Sequence, residues 1–378
     1  MVAFRGLTWD HPRGFDALEA ASRVALQAGQ LNLQWDKQPL EGFEEHPIEA
    51  LCNTYDLVVL DHPHIGEAVM AACLTPLEDL FESAFLDDLG RRSIGSSLTS
   101  YQYAGKHWSL PLDAATQVMA YRPDMIAEPP ASWEQVIEFA ARQPMAISLA
   151  GPHAALMLFA IALSLGARLG DGDQLFSAGL GEVAFDQMQQ LFSLSSRSAD
   201  GLNPIGILKM MSETTLFAFC PLVYGYVNYA GRVMAPARRL AFTDAPVGLS
   251  MRRGSILGGT GIGVTKRCKP TAALLSHLQW LLCDDTQIRF IPDHNGQPSA
   301  RAAWRDADVN QVWGNFYKAT FKTVEMAHIR PRFAGYVAFQ KRAAQLVRDA
   351  LISGRSARSV VAALTHEYQT SLPFTAER

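Results

Sequence analysis

Hydrophobic and polar positions along the first ninety residues alternate between two periods. Residues 4–9 read as a strand and residues 15–28 as a helix. Residues 31–35 read as a second strand, 47–53 as a short helix, 56–60 as a third strand and 65–73 as a helix. The run Asp56-Leu57-Val58-Val59-Leu60 has no polar alternation, which suits a strand buried on both faces of a parallel sheet. Pro63 cannot donate to a ladder, so this strand ends near His62. Repeated short βαβα units predict a parallel sheet with helices on both faces.

The pattern loosens beyond residue 74. Residues 77–89 are helical with an acidic face, read as solvated. Residues 101–108 read as a hairpin turning at Gly105. Residues 108–122 read as an extended segment that carries the chain from one lobe to the next. A helix starts after Pro129-Pro130, with Ser132 as N-cap and Gln135 three residues on, the spacing of a capping box. Residues 145–149 read as a strand. Helices follow over 153–167, 182–195, 270–283, 336–353 and 356–370. Phe217 to Val223 is apolar and broken by Pro221, and it leads into Tyr224-Gly225-Tyr226-Val227-Asn228-Tyr229, a polar aromatic surface. The stretch 254–264 is glycine-rich but fits neither phosphate-loop nor dinucleotide spacing, so its glycines are read as places of close backbone approach.

Asp-His-Pro occurs twice, each time just past the carboxyl end of a predicted strand: Asp10-His11-Pro12 and Asp61-His62-Pro63. In a doubly wound sheet of order 2-1-3 the first and third strands are neighbours, and ligands bind at that switch point. Asp10, His11, Asp61, His62 and His64 are therefore placed at one candidate site. Four readings are open. The residues hydrogen-bond a polar ligand, with backbone N–H groups and Arg13 favouring an anion. They hold a divalent metal. One of His11, His62 and His64 acts as acid or base, tuned by Asp61. Or the aspartates cap helices and the histidines are structural.

Composition narrows the class. At 378 residues, two domains of roughly 150 residues each are expected. A net charge of -4 gives no electrostatic argument for nucleic acid or an anionic membrane. No run reaches the ~18 apolar residues of a transmembrane helix. Five cysteines without a CxxC indicate neither a disulfide framework nor zinc, and they are assigned to core packing. No metal and no cofactor is expected. Residues 1–30 lack the apolar core of a secretory signal. The chain as written therefore points to the cytoplasm, and to the periplasm if a native signal precedes it.

The order of elements resembles a known family. A βαβα lobe leads into Leu110-Pro111 and then Tyr121-Arg122. Pro130-Ala131-Ser132-Trp133 opens a helix. Gly258-Gly259-Thr260-Gly261-Ile262-Gly263-Val264 makes a return crossing. Asp285-Thr286-Gln287, then Gly296-Gln297-Pro298 with Arg301, precede a helical C-terminus. This order resembles the extracellular solute-binding proteins of ABC transporters, in particular the carbohydrate-binding group, over nearly the whole chain.

The resemblance implies an α/β, two-lobe, periplasmic-binding-protein-like fold that closes by a hinge on ligand in a cleft. The crossings near 109–120 and 256–265 would be hinge strands. Lobe one would comprise 1–109 and 265–310, and lobe two 110–264 and 311–378. The implied function is binding of a small polar solute, a sugar or a carboxylate- or phosphate-bearing metabolite. An ABC transporter permease would be the partner if the chain is exported. Two alternatives are a cytoplasmic enzyme using the Asp-His-Pro loops on a carboxylate or thioester, and a cytoplasmic ligand sensor. Aromatic rings stack on sugars in such proteins; Trp35, Tyr226, Trp304, Trp313 and Phe316 are candidates here, and Trp9 and Tyr224 sit at predicted strand ends. Asn228, Asp113, Gly259, Thr260, Gln297, Arg301 and Arg330 complete the expected ligand-binding set, with Arg332 beside Arg330.

Overall fold

The computed structural model describes residues 2–39, 47–170 and 172–373. Its strands, in chain order, are β1 (Ala3–Trp9), β2 (Asn32–Gln38), β3 (Leu57–Leu60), β4 (Gln102–Tyr103), β5 (Lys106–His107), β6 (Leu110–Pro111), β7 (Ala115–Tyr121), β8 (Phe219–Tyr224), β9 (Ala241–Thr243), β10 (Leu257–Gly258) and β11 (Gly261–Val264). The chain divides into two compact units. The first comprises Met1–Ala115, Gly258–Gln311 and Arg332–Ala334; the second comprises Thr116–Leu257, Val312–Pro331 and Gly335–Arg378.

The first unit is built on a five-stranded sheet of order β2-β1-β3-β11-β6. β1 runs parallel to β2 and β3, so the order 2-1-3 read from the sequence is the order in space. β11 runs antiparallel to β3 and to β6. β3 is buried along its whole length, as its unbroken apolar run requires. Under it pack Ile48, Cys52, Ile65, Ala68, Cys73, Leu74 and Tyr101. The first unit takes β6 and β11 into its own sheet. Its edges in sequence fall at Ala115 and Gly258.

The second unit has a sheet of order β10-β7-β8, with β9 also on β7. Pro221 sits in β8 where Val118 faces Val223 and Ala120 faces Cys220, so two β8 residues oppose Met119. That bulge gives a residue with no N–H a place in the strand. The helix His153–Ser164 is apolar on every side and buried on every side. Against it pack the helices Ala178–Leu194 and Tyr336–Ser353, and Ala357–Ser371 packs on both of those.

Local signals held where they were written into short spacings. Ser132 and Gln135 form the reciprocal capping box. β4 and β5 form the hairpin, with Ala104 and Gly105 both at positive φ. Residues 145–149 depart from expectation: only Met145 pairs, in single bridges to Ser195 and Phe219. An apolar run alone did not supply the neighbours that a ladder needs.

Candidate functional site

In the first unit, four chain segments end at one edge of the sheet. β1 and β3 deliver Asp10-His11 and Asp61-His62 past their carboxyl ends. β6 delivers Asp113 in the same direction, and antiparallel β11 begins there after Gly259-Thr260. The sequence placed the two Asp-His pairs together and assigned Asp113, Gly259 and Thr260 separately; the sheet brings all of these segments to one end.

At the centre is a buried ion pair. Arg13 Nε donates to Asp113 Oδ2 at 2.6 Å, with 4% and 3% of the two side chains exposed. The other Asp113 oxygen accepts the Thr260 backbone N–H at 2.5 Å and its hydroxyl at 3.1 Å. Gly259 makes this possible. Its φ is +100°, and a Cβ there would lie 2.5 Å from the Asp113 carbonyl. Gln297 Nε2 donates to the Ala114 carbonyl at 2.7 Å, which holds the same segment from the other side.

His11, rather than Asp10, caps the helix Pro12–Gln27: its Nδ1 accepts the Arg13 backbone N–H at 3.1 Å. Its ring stacks on Trp9, with centroids 5.0 Å apart and planes 8° from parallel. Burial, and then the nearby Arg13 charge, pull its pKa down to about 3. The ring is therefore neutral at pH 7, with Nδ1 committed to the cap, which does not suit a general base. Asp10 lies at the surface and pairs with Lys37 at 2.7 Å. Asp61 caps the turn His62–His64 by accepting the His62 N–H at 2.8 Å, and it lies 3.1 Å from His62 Nδ1. His62 and His64 are buried, and Asp61 is partly open. Among the described residues, no group of three or more His, Cys, Asp or Glu side chains could hold a metal ion.

The aromatic candidates separate by packing. Trp35 lies over Gly6 and donates to Ser22 at 3.1 Å. Trp304 donates to the Pro298 carbonyl, Trp313 covers Gly231 and Phe316 packs on Phe242. Trp9 is 2% exposed, pressed against Gly14 and covered by His11. These are core positions. Arg301 donates to the Arg91 carbonyl at the end of the helix Ser83–Arg92, and Arg332 donates to the carbonyls of Thr99 and Ser100.

In the second unit, Tyr224 stands at the end of β8, half-buried, and Tyr226 and Asn228 follow in the next turn. Tyr224 meets His153 edge-on, with centroids 5.7 Å apart. Arg330 is buried, with Nη1 donating to Gln340 and Nη2 to the Leu257 carbonyl. Burial lowers the His153 pKa to about 3, and the Arg330 and Arg348 charges add to the effect. Sequence reasoning missed His153. The available signal was a lone polar ring opening an otherwise apolar helix after Gly151-Pro152.

Residues 48–315 match the family described as bacterial extracellular solute-binding protein. The chain belongs to that family. Solved structures of the same fold include three sugar or polyol complexes. The solute-binding protein of Agrobacterium radiobacter K84 with ribitol has a TM-score of 0.82 at 18% identity, covering 98% of this chain and 99% of that one. Maltose-bound MalE3 of T. maritima gives 0.80 at 15%, covering 98% and 100%. A Thermotoga lettingae TMO protein with α-D-tagatose gives 0.82 at 13%, covering 99% and 100%. No curated protein sequence matches the chain. The fold is thus the two-lobe, periplasmic-binding-protein-like one, and the chain is a solute-binding protein by family. Among its described residues, no helix is long and apolar enough to cross a membrane.

Proposed function

We propose that this solute-binding protein captures a neutral polyhydroxylated solute, a sugar or a polyol, and releases it unchanged. The observation that carries this reading is the Arg13–Asp113 pair. Arg13 was the cation that would have drawn an anion to the Asp-His-Pro edge, and its charge is already matched by a buried carboxylate. With Asp10 paired to Lys37, the partly open Asp61 favours hydroxyl donors over negatively charged groups at this edge. The ribitol, tagatose and maltose complexes of similar fold support the same ligand class.

Taken by itself, the first unit is proposed to contact ligand through Asp61 and His64; taken by itself, the second carries Tyr224, Asn228 and Arg330 as its proposed polar contacts. Trp9, His11, Asp113, Gly259, Thr260 and Gln297 are proposed to hold that edge in shape. Delivery to an ABC permease on the outer side of the cytoplasmic membrane is the proposed physiological step; it rests on family membership. Fractionation of the native host tests that location, and recovery of the protein only from the cytoplasm contradicts it.

The binding reading is tested by calorimetry with a panel of pentoses, hexoses, their polyols and maltose. Asp61→Asn is expected to weaken the best ligand roughly tenfold or more, the loss of about one good hydrogen bond. Unchanged affinity in this variant overturns the assignment of contacts. Chemical conversion of the bound solute overturns binding without turnover.

A further inference from the structure

A second site lies wholly within the second unit. A cavity of about 490 Å³ opens beside the carboxyl-terminal end of the helix His153–Ser164. Arg168, Arg252, Arg253 and His328 line it, and among the described residues no aspartate or glutamate does. Arg253 is held from outside, by Asp244 at 3.9 Å and by the Ala245 carbonyl. Arg168 and Arg252 are exposed, and their guanidinium groups have no hydrogen-bond or ion-pair partner among the described residues. His328 is fixed through its backbone: its N–H donates to Ser255 O and its carbonyl accepts from Leu257 N, both at 2.9 Å. Burial lowers its pKa, so the ring is a neutral hydrogen-bonding group.

We propose that this cavity binds a small oxyanion carrying two or more negative charges, a phosphate monoester or a polycarboxylate, independently of the solute. Its volume falls in the range of small-molecule sites. The charge balance decides the sign of the ligand. Among the described residues, three guanidinium groups face one carboxylate, that of Asp244, and the helix end, which is worth about half a negative charge. The excess is positive. Guanidinium forks match phosphate and carboxylate geometry through paired N–H donors. The loop that supplies Arg252 is shaped in an unusual way: Ser250 and Met251 both have left-handed backbones, with φ of 54° and 59°. Two adjacent non-glycine residues rarely hold this conformation, and such backbone clusters at ligand clamps. Along the helix, Leu163 is about 15 Å from His153, at 1.5 Å per residue, so this cavity lies apart from Tyr224 and His153.

The test is calorimetric titration of the full chain with inorganic phosphate, glucose 6-phosphate and citrate, each at low and high salt. Saturable one-to-one binding is expected, weakened by salt. Tighter binding of the phosphate compounds identifies a phosphate site; tighter binding of citrate identifies a carboxylate site. Arg168→Ala and Arg252→Ala are each expected to cost roughly tenfold. Both side chains are exposed, so folding is preserved, and Arg252→Lys is expected to lose less than Arg252→Ala. Asp61→Asn is expected to leave anion binding unchanged. Absence of saturable binding by all three anions, or binding unaffected by both arginine variants, overturns the proposal.

Discussion

Arg13 and Asp113, one hundred positions apart in sequence, form a buried ion pair with a 2.6 Å contact between Nε and Oδ2. The pair ties the start of the helix Pro12–Gln27 to the segment after β6, and Asp113 reaches on to Thr260. Removing one member strands the other charge in the interior, which typically costs 3–5 kcal/mol. Asp113→Ala is therefore expected to lower the free energy of unfolding by about 3–5 kcal/mol in urea titrations. Arg13→Met combined with Asp113→Leu is expected to cost less than Asp113→Ala alone. A loss below about 1 kcal/mol for Asp113→Ala would mean that the pair is solvated.

Stability is expected to fall in mild acid through buried histidines. The His11 and His153 pKa values drop from 6.5 to about 3, chiefly by burial. Between pH 6.5 and about 3 the unfolded chain binds protons that the folded one refuses. Their contribution is therefore complete above pH 6.5 and is lost as pH falls through that window. His153→Gln is expected to flatten the fall in unfolding free energy between pH 7 and pH 4.5. An unchanged slope in that variant would show that His153 titrates normally in the fold.

Two glycines make opposite predictions. A Cβ on Gly254 would sit 1.7 Å from the Ala160 carbonyl oxygen, inside the buried helix. A Cβ on Gly179, in the first turn of the helix Ala178–Leu194, would meet nothing within 4 Å. Gly254→Ala is expected to destabilise by about 1–3 kcal/mol or more through overpacking. Gly179→Ala is expected to stabilise by about 0.5 kcal/mol through helix propensity. Thermal melts of the two variants moving in the same direction would contradict this packing.

The fold was legible where a rule operates over a few residues or one repeat. The βαβα spacing gave the strand order around β1, and Ser132 with Gln135 gave a helix start. The resemblance in element order carried the family. Side-chain roles were less legible, because they depend on burial and on partners far away in sequence. Trp9 and Asp113 have the chemistry of sugar contacts, yet His11 covers one and Arg13 with Thr260 saturates the other. His11 looked like a site residue and serves as a cap. The cluster of Arg168, Arg252 and His328 had no sequence signature, since its members come from three separate segments.

The central claim is that the solute is neutral and polyhydroxylated. Its most direct test is calorimetry on matched pairs that differ only in charge: a sugar or polyol against its phosphate ester and its sugar acid. The titrations are run in the native chain and in the Arg168→Ala/Arg252→Ala variant, which removes the proposed anion cavity. A neutral member that binds in both proteins, with its charged partners weaker in the variant, is the predicted result. A charged partner that binds more tightly than its neutral counterpart in the variant would contradict the account.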